Sequence, residues 1–314
     1  MDKSSRIFVA GHNGLVGSAI VRRLQLDGFT NILTCHRDRI DLTKREQVLA
    51  FFADTKPEFV FLAAAKVGGI VANDTYPVDF IDDNILIQSN VLHGAWQAKV
   101  SKVLMLGSSC IYPKFAEQPI KEDSLLTGAL EKTNQWYAIA KITGILLGQA
   151  YRKQYGMNVI SAMPTNLYGP GDNFSLANSH VLPAMLRKFH EGKNDGVVTL
   201  WGTGSVRREF LHVDDLASAC LFLMERYNEL DVVNVGVGKD VTIRELAEII
   251  CKIVGFSGKI NWDTTKPDGT PQKLLDVSRL TGMGWIPKIE LVDGIKSFYA
   301  WFLEELKNAP LRGW

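Results

Sequence analysis

Tyr137 and Lys141 stand four residues apart in "NQWYAIAKITG", a helix-like segment, so both side chains fall on one face. An ammonium beside a phenol favours the phenolate and draws the tyrosine pKa down from about 10. Such a tyrosine can pass a proton to or from a carbonyl or alcohol oxygen. Upstream, "MLGSSCIY" reads as a buried strand ending on Ser108, Ser109 and Cys110, where a plain core strand would carry valine or leucine. Ser108 and Cys110, two residues apart on an extended strand, would point to the same side. Taken singly, these are an incidental Tyr and Lys on an amphipathic helix and a thiol packed as a small hydrophobe. Their meaning depends on what else the chain brings beside them.

In "IFVAGHNGLVGSAI" Gly11, Gly14 and Gly17 lie between a strand-like run and a helix-like one. Gly11 allows a tight turn, Gly14 lets backbone approach a pyrophosphate, and Gly17 permits close helix packing. The unpaired N–H groups at the helix start then face the anion. A glycine-rich turn alone would be weak, but the strand before and helix after favour a dinucleotide site. The second strand, "NILTC", runs into His36-Arg37-Asp38-Arg39. Arg37, about twenty residues past the last glycine, can pair bidentately with a 2′-phosphate and so favours NADP(H). An inward-turned Asp38 would favour NAD instead; His36 is a candidate helper, and Arg39 reads as solvated.

The elements that must position these groups alternate through the first half. "RIFVAG", "NILTC", "FVFLAAA", "KVLMLGSS" and "NVISAMP" are apolar runs suited to buried parallel strands. Between them the pattern predicts helices over Gly14–Asp27, closed by Gly28, and after a capping box at Thr43-Lys-Arg-Glu46, ending before Pro57. Two more are predicted over Ile85–Lys99 and Asn134–Tyr155. The fold class is therefore α/β, a Rossmann-type doubly wound parallel sheet. From about Tyr168 the texture changes, with "NLYGPGDNF" and the long turn "KPDGTP", while "DVVNVGVG" reads as a late strand. This predicts a smaller α/β substrate-binding lobe. The expected division is 1–167 plus a contribution from about 211–236 for the dinucleotide domain, and mainly 168–314 for the substrate.

Bulk properties narrow the function. The chain has 314 residues, 46% hydrophobic and 22% charged, with a net charge of +1, so no basic field is available to grip nucleic acid or an anionic membrane. No run of eighteen apolar residues suggests a membrane span. Cys35, Cys110, Cys220 and Cys251 lack paired spacing, which argues against disulfides or a metal site and suits a reducing cytoplasm.

Ser108, Tyr137/Lys141 and Gly11/Gly14/Gly17, with the blocks "AAAKVGGI", "PTNLYGP" and "REFLHVDDLA", resemble the extended short-chain dehydrogenase/reductases over essentially the whole chain. The 4,6-dehydratases of that superfamily carry an Asp-Glu pair where this chain has Ser109 and Cys110, so their water elimination is not expected. The further blocks "LGSSCIYP", "NSHV" and "KPDGTP" resemble a branch that epimerises and then reduces a GDP-linked 4-keto-6-deoxy sugar. The resemblance implies NADP(H) as cofactor, a GDP-sugar as partner, and a homodimer through helices near 85–99 and 134–155.

It also implies residue roles. Catalytic are Ser108, Cys110 as base, His180 as opposing acid, Tyr137 and Lys141. The cofactor would meet the glycine loop through Gly11, His12, Asn13, Gly14, Leu15, Val16 and Gly17, then Arg37, Asp41 and Leu42. Further along it would meet Leu106, Gly107, Ser108, Ser109 and Lys141, then Pro164, Thr165, Asn166, Leu167 and His180. Lys188, Trp201, Arg208 and Asp268 would hold the GDP-sugar. Asn13 departs from relatives that place Arg after the loop histidine. Two other readings stand beside this one: another nucleotide-sugar epimerase or 4-keto reductase, and a non-catalytic dinucleotide sensor. A sensor would be expected to lose the Tyr/Lys pair, which is intact here.

Overall fold

The computed structural model describes residues 1–176, 179–266 and 268–308. Asn178 of "NSHV", Pro267 of "KPDGTP" and residues 309–314 lie outside the described residues. The first half runs β1 (Ile7–Ala10), α1 (Leu15–Leu26), β2 (Ile32–Leu33), α2 (Arg45–Thr55), β3 (Phe59–Leu62), α3 (Ile70–Thr75), α4 (Pro77–Gln97), β4 (Lys102–Leu106), α5 (Gln135–Tyr155) and β5 (Val159–Pro164). The second half runs β6 (Asn166–Tyr168), α6 (Val181–Asp195), β7 (Val197–Trp201), β8 (Arg207–Arg208), β9 (Phe210–His212), α7 (Val213–Arg226) and β10 (Val233–Val235). It closes with β11 (Val241–Thr242), α8 (Ile243–Val254), β12 (Lys259–Asp263), β13 (Gln272–Lys273), α9 (Ser278–Gly282) and α10 (Leu291–Asn308).

Six parallel strands form the main sheet in the order β10-β5-β4-β3-β1-β2. Both faces are covered, which is why its strands read as continuous apolar runs rather than alternating ones. On β1, Ile7 and Val9 enter the core under α1 and α7, while Phe8 and Ala10 enter the core under α2 and α4. β4 divides likewise, Leu104 and Leu106 to one side, Val103 and Met105 to the other. A separate aromatic core lies among α6, α8 and α10, built on Phe174, Phe189, Phe298 and Phe302. There β7 pairs with β12, and β8 lies between β11 and β13.

Several local expectations change. Thr43 does not cap α2, whose N-cap is Lys44 without a side-chain bond. The Thr43 hydroxyl donates to Asp41 Oδ1 at 2.8 Å, and the Thr43 N–H goes to the same oxygen at 3.0 Å, so Asp41 closes a turn just before the helix. The reciprocal capping box stands at Thr242 and Glu245 on α8. Helix α4 begins at Pro77 rather than Ile85, with the proline in its first turn, where a missing N–H costs nothing. β4 ends at Leu106, and Ser109–Ile111 form a turn of 3-10 helix. Cys110 therefore does not follow Ser108 along an extended strand. The Ser108 hydroxyl accepts the Cys110 N–H at 3.3 Å and turns the chain.

Candidate active site

A cleft of about 1370 Å³ crosses the carboxyl edge of the main sheet, lined by the segments leaving β1, β3, β4 and β5. In a doubly wound sheet that is where ligands bind, beside the strand-order reversal at β1 and β3. Gly11 has φ +86°, and a Cβ there would stand 2.7 Å from the Ala64 backbone, so a side chain is excluded by both conformation and space. A Cβ on Gly17 would meet Gly11 O at 2.0 Å, so Gly17 packs behind the loop rather than on the cleft wall. At Gly14 the nearest atom is 3.4 Å away, and α1 starts with neither a side-chain cap nor a first-turn acid. This cradle fits a pyrophosphate, leaving the first N–H groups of α1 for the anion.

Arg37 lines the same end of the cleft; Asp38 does not. Asn13 approaches His36 at 3.0 Å between Nδ2 and Nδ1, and His12 packs edge-on against His36. Asp41 accepts the N–H and hydroxyl of Thr43 at 3.0 and 2.8 Å. Against the opposing effect of burial, these bonds, with Arg37 and Lys44 nearby, hold its carboxyl below the usual range.

At the centre, Ser108, Cys110, Tyr137, Lys141 and His180 all face one cavity. Lys141 Nζ donates to Leu106 O at 2.8 Å and lies 5.7 Å from the Tyr137 ring centre. Burial lowers Lys141 to about 8. The expected depression of the tyrosine does not occur: burial, with Cys110 adding to it, pushes Tyr137 upward. The same dry surroundings that weaken the ammonium disfavour the phenolate more. Tyr137 is consequently a proton donor at rest. Burial also raises the Cys110 thiol, opposed by Lys273, the Ser108 hydrogen bond and Lys141. His180, solvent-exposed on the cleft rim, precedes α6 as its N-cap without a capping bond, and desolvation by the protein around it lowers its pKa.

The far end holds the remaining expected residues. Trp201 is 51% exposed, an open ring face with Lys188 and Lys266 at 5.8 and 5.6 Å from its centre. Lys188 Nζ donates to Thr199 O at 2.9 Å. Asp268 accepts the Thr203 N–H and hydroxyl at 2.8 and 2.9 Å, and its charge supports the Arg208 guanidinium against burial.

The cleft also recruits residues that the sequence pattern passed over: Asn73, Asn134, Ser179, Lys273 and the Lys114–Glu131 pair at 2.7 Å. Asn73 Oδ1, Asn134 Oδ1 and Ser179 Oγ are buried without a hydrogen-bond partner among the described residues. Buried polar atoms are ordinarily paired, so these three are open acceptors on the cleft wall for a ligand or its water. Asn134 stands three residues before Tyr137, a helical spacing that could have pointed to it; Lys273 had no such signal. Among the described residues no group of three or more His, Cys, Asp or Glu could hold a metal ion, and no helix is long and apolar enough to cross a membrane.

A parallel sheet with a glycine cradle at its switch point and a Ser–Tyr–Lys set at its carboxyl edge defines a dinucleotide-dependent oxidoreductase fold. The chain belongs to the NAD dependent epimerase/dehydratase family, whose model matches residues 7–236. Its sequence is 61% identical over 309 residues to GDP-L-fucose synthase 1 of Arabidopsis thaliana, covering 98% of this chain and 96% of that one. It resembles the solved GDP-L-fucose synthetase of Naegleria fowleri bound to NADP, with a TM-score of 0.91, 26% identity, and 98% and 97% of the two chains covered. It also resembles MlghC, the GDP-mannoheptose C4 reductase of Campylobacter jejuni with NADP bound, at TM-score 0.88 and 39% identity over 96% and 99% of the chains.

Proposed function

We propose that the chain converts GDP-4-keto-6-deoxy-D-mannose to GDP-L-fucose, epimerising carbons 3 and 5 and then reducing carbon 4 with NADPH. The observation that carries this is the meeting of Cys110 and His180 with Ser108, Tyr137 and Lys141 on one cavity. A plain ketone reductase needs only the last three.

Carbons 3 and 5 flank the ketone, and their protons become acidic once the enolate oxygen is held. Ser108 accepts from the Cys110 N–H and so keeps its own O–H to donate. Together with the protonated Tyr137 it gives that oxygen two donors. Cys110, once its own proton has left to cleft water, takes each carbon proton, His180 delivers a different proton from the opposite ring face, and both side chains exchange with water before the next inversion. Desolvation by the cleft walls disfavours the charged form of His180, and an anionic diphosphate in the cleft would favour the imidazolium that donates. Bound NADPH supplies the hydride for carbon 4. Tyr137 protonates the resulting alkoxide, while Lys141, bonded among the described residues to Leu106 O, supports Tyr137 and meets the nicotinamide ribose. Arg37 pairs with the 2′-phosphate, and Lys188, Trp201, Arg208 and Asp268 hold the GDP moiety.

Residues 1–167 with about 211–236 would form the cofactor domain, and the rest mainly the substrate domain. The partly exposed apolar side chains Leu86, Trp136, Ile139, Leu146 and Tyr155 on α4 and α5 support a homodimer through those helices. Its four free cysteines suit the cytoplasm. Incubation with GDP-4-keto-6-deoxy-mannose and NADPH or NADH, with NMR of the product, tests the proposal. GDP-L-fucose formed faster with NADPH is expected; a reduced but uninverted sugar would place the chain with the C4 reductases.

A further inference from the structure

Asn73 has no part in the chemistry above, yet it lines the cleft and is only 5% exposed. Its Nδ2 donates to Gly68 O at 2.8 Å and to Gly69 O at 3.0 Å, so both donors are spent on the turn before α3. Rotating the amide by half a turn would set Oδ1 against those two carbonyls, which fixes Oδ1 as the atom left over. That oxygen is buried without a hydrogen-bond partner among the described residues. An acceptor held in place by its own amide, with no donor beside it, calls for a ligand group that donates.

The turn that holds Asn73 belongs to the packing around Tyr137. A Cβ on Gly68 would stand 3.0 Å from Phe80 Cζ and 3.1 Å from the Ala72 Cβ, so the chain there lies close against the Phe80 ring. Phe80 meets Tyr137 edge-on, with ring centres 6.4 Å apart. Helix α3 also packs against the turn of 3-10 helix at Lys132–Asn134 that leads into α5 and Tyr137. Tyr137 serves the carbon 4 oxygen, so the donor for Asn73 is sought on the sugar. There carbon 1 carries the GDP, carbon 4 the ketone and carbon 6 is a methyl group, which leaves hydroxyls at carbons 2 and 3. Inversion at carbon 3 swings its hydroxyl to a new direction, whereas the carbon 2 hydroxyl keeps its configuration from substrate to product. A clamped acceptor suits the hydroxyl that stays.

We propose that Asn73 is a specificity-determining residue whose Oδ1 accepts the carbon 2 hydroxyl of the bound GDP-sugar and holds the ring while its neighbours invert. A sugar without that hydroxyl leaves the buried oxygen unpaired and is rejected for it. The assignment rests on the GDP-sugar reading proposed above.

The test compares kcat/KM for GDP-4-keto-6-deoxy-mannose with that for its 2-deoxy analogue, in the parental protein and in Asn73→Ala. Stranding a buried acceptor costs roughly tenfold or more, so the parental protein should prefer the 2-hydroxyl sugar by about that factor. In Asn73→Ala the preference should shrink to about one, because the acceptor is gone for both sugars. A residue that only braces the Gly68–Gly69 turn would slow both sugars alike and leave the ratio unmoved. Preference over the 3-deoxy analogue should be the same in both proteins. Circular dichroism checks that the variant is folded; Asn73→Ser, whose shorter side chain withdraws the acceptor, carries the same test if it is not. No preference in the parental protein, or an undiminished one in a folded variant, overturns the assignment. So does a variant that loses its preference over the 3-deoxy sugar instead, which moves the contact to carbon 3. Weaker NADPH binding at an undiminished preference gives the oxygen to the cofactor and also overturns it. A parental protein that does not turn over GDP-4-keto-6-deoxy-mannose at all removes the GDP-sugar reading, and this assignment with it.

Discussion

Lys102 and Lys141 are both buried, both lowered to about 8 by burial, and stand at opposite ends of β4. Lys102, at the amino end, donates to three carbonyls at the end of α7, Leu223, Met224 and Tyr227, at 3.1, 2.6 and 2.6 Å. Leu223 O also takes the Tyr227 N–H at 3.0 Å, while Met224 and Tyr227 offer carbonyls at the helix terminus, so the ammonium and the helix end satisfy each other. Lys141, at the carboxyl end, has one carbonyl among the described residues, Leu106 O, and lines the cleft. The same residue type at the same depth is thus closed structure at one end and unspent donor capacity at the other. Incomplete hydrogen bonding, rather than burial or an altered pKa, separates the two ends. Asn73 Oδ1, Asn134 Oδ1 and Ser179 Oγ, without a partner among the described residues of the same cleft, fit that distinction.

The largest way to break the comparison is at the open end. Tyr137→Phe removes the proton donor and should slow NADPH oxidation by substrate at least about a hundredfold, with GDP-sugar binding retained. Stopped-flow absorbance and a binding titration measure both, and parental turnover would mean another acid. Next comes the nucleotide end of the cleft. Arg37→Ala should raise the Michaelis constant for NADPH by roughly tenfold to a hundredfold, and that for NADH far less, since only NADPH has a 2′-phosphate to lose. Equal effects would move the phosphate clamp elsewhere.

A smaller effect comes from pH. Lys141 is charged below about 8 and neutral above it. Its support of Tyr137 and of charge at carbon 4 fades as pH rises, so single-turnover hydride transfer should fall by about tenfold per unit above that point. A flat profile to higher pH would mean the ammonium is not required. The smallest catalytic effect belongs to the closed end. Lys102→Met should leave turnover unchanged yet cost about 1–3 kcal/mol in urea unfolding, because the carbonyls of Met224 and Tyr227 lose the lysine's hydrogen bonds and Leu223 O keeps only the Tyr227 N–H. Lost activity at full stability would reverse the roles of the two lysines.

What could be read from the sequence divides along the same line. The glycine cradle was legible because backbone demands it: no other residue fits Gly11 at φ +86° against Ala64. Tyr137 and Lys141 were legible because helical spacing is local. The pathway from Ser108 to Cys110 was misread, since the hydroxyl that captures the Cys110 N–H turns the strand into a 3-10 helix. The Thr43 capping box is absent because the helix starts one residue later, after Lys44, with Thr43 held in a turn by Asp41. Asn73 and Lys273 lay beyond reach, because α3 and β13 meet the site only through tertiary packing.

The central claim is that the open end of β4 performs proton abstraction as well as reduction, and Cys110→Ser tests it most directly. The hydroxyl keeps the small polar side chain but hardly ionises, whereas an unperturbed thiol has a pKa of about 8.5. In deuterated water with GDP-4-keto-6-deoxy-mannose and NADPH, NMR should find carbon 3 and carbon 5 deuterium incorporation collapsed. The product should be a slowly formed 6-deoxy sugar of unaltered D configuration, because Ser108, Tyr137 and Lys141 remain. GDP-L-fucose formed at the parental rate, with full deuterium at both carbons, would contradict the account.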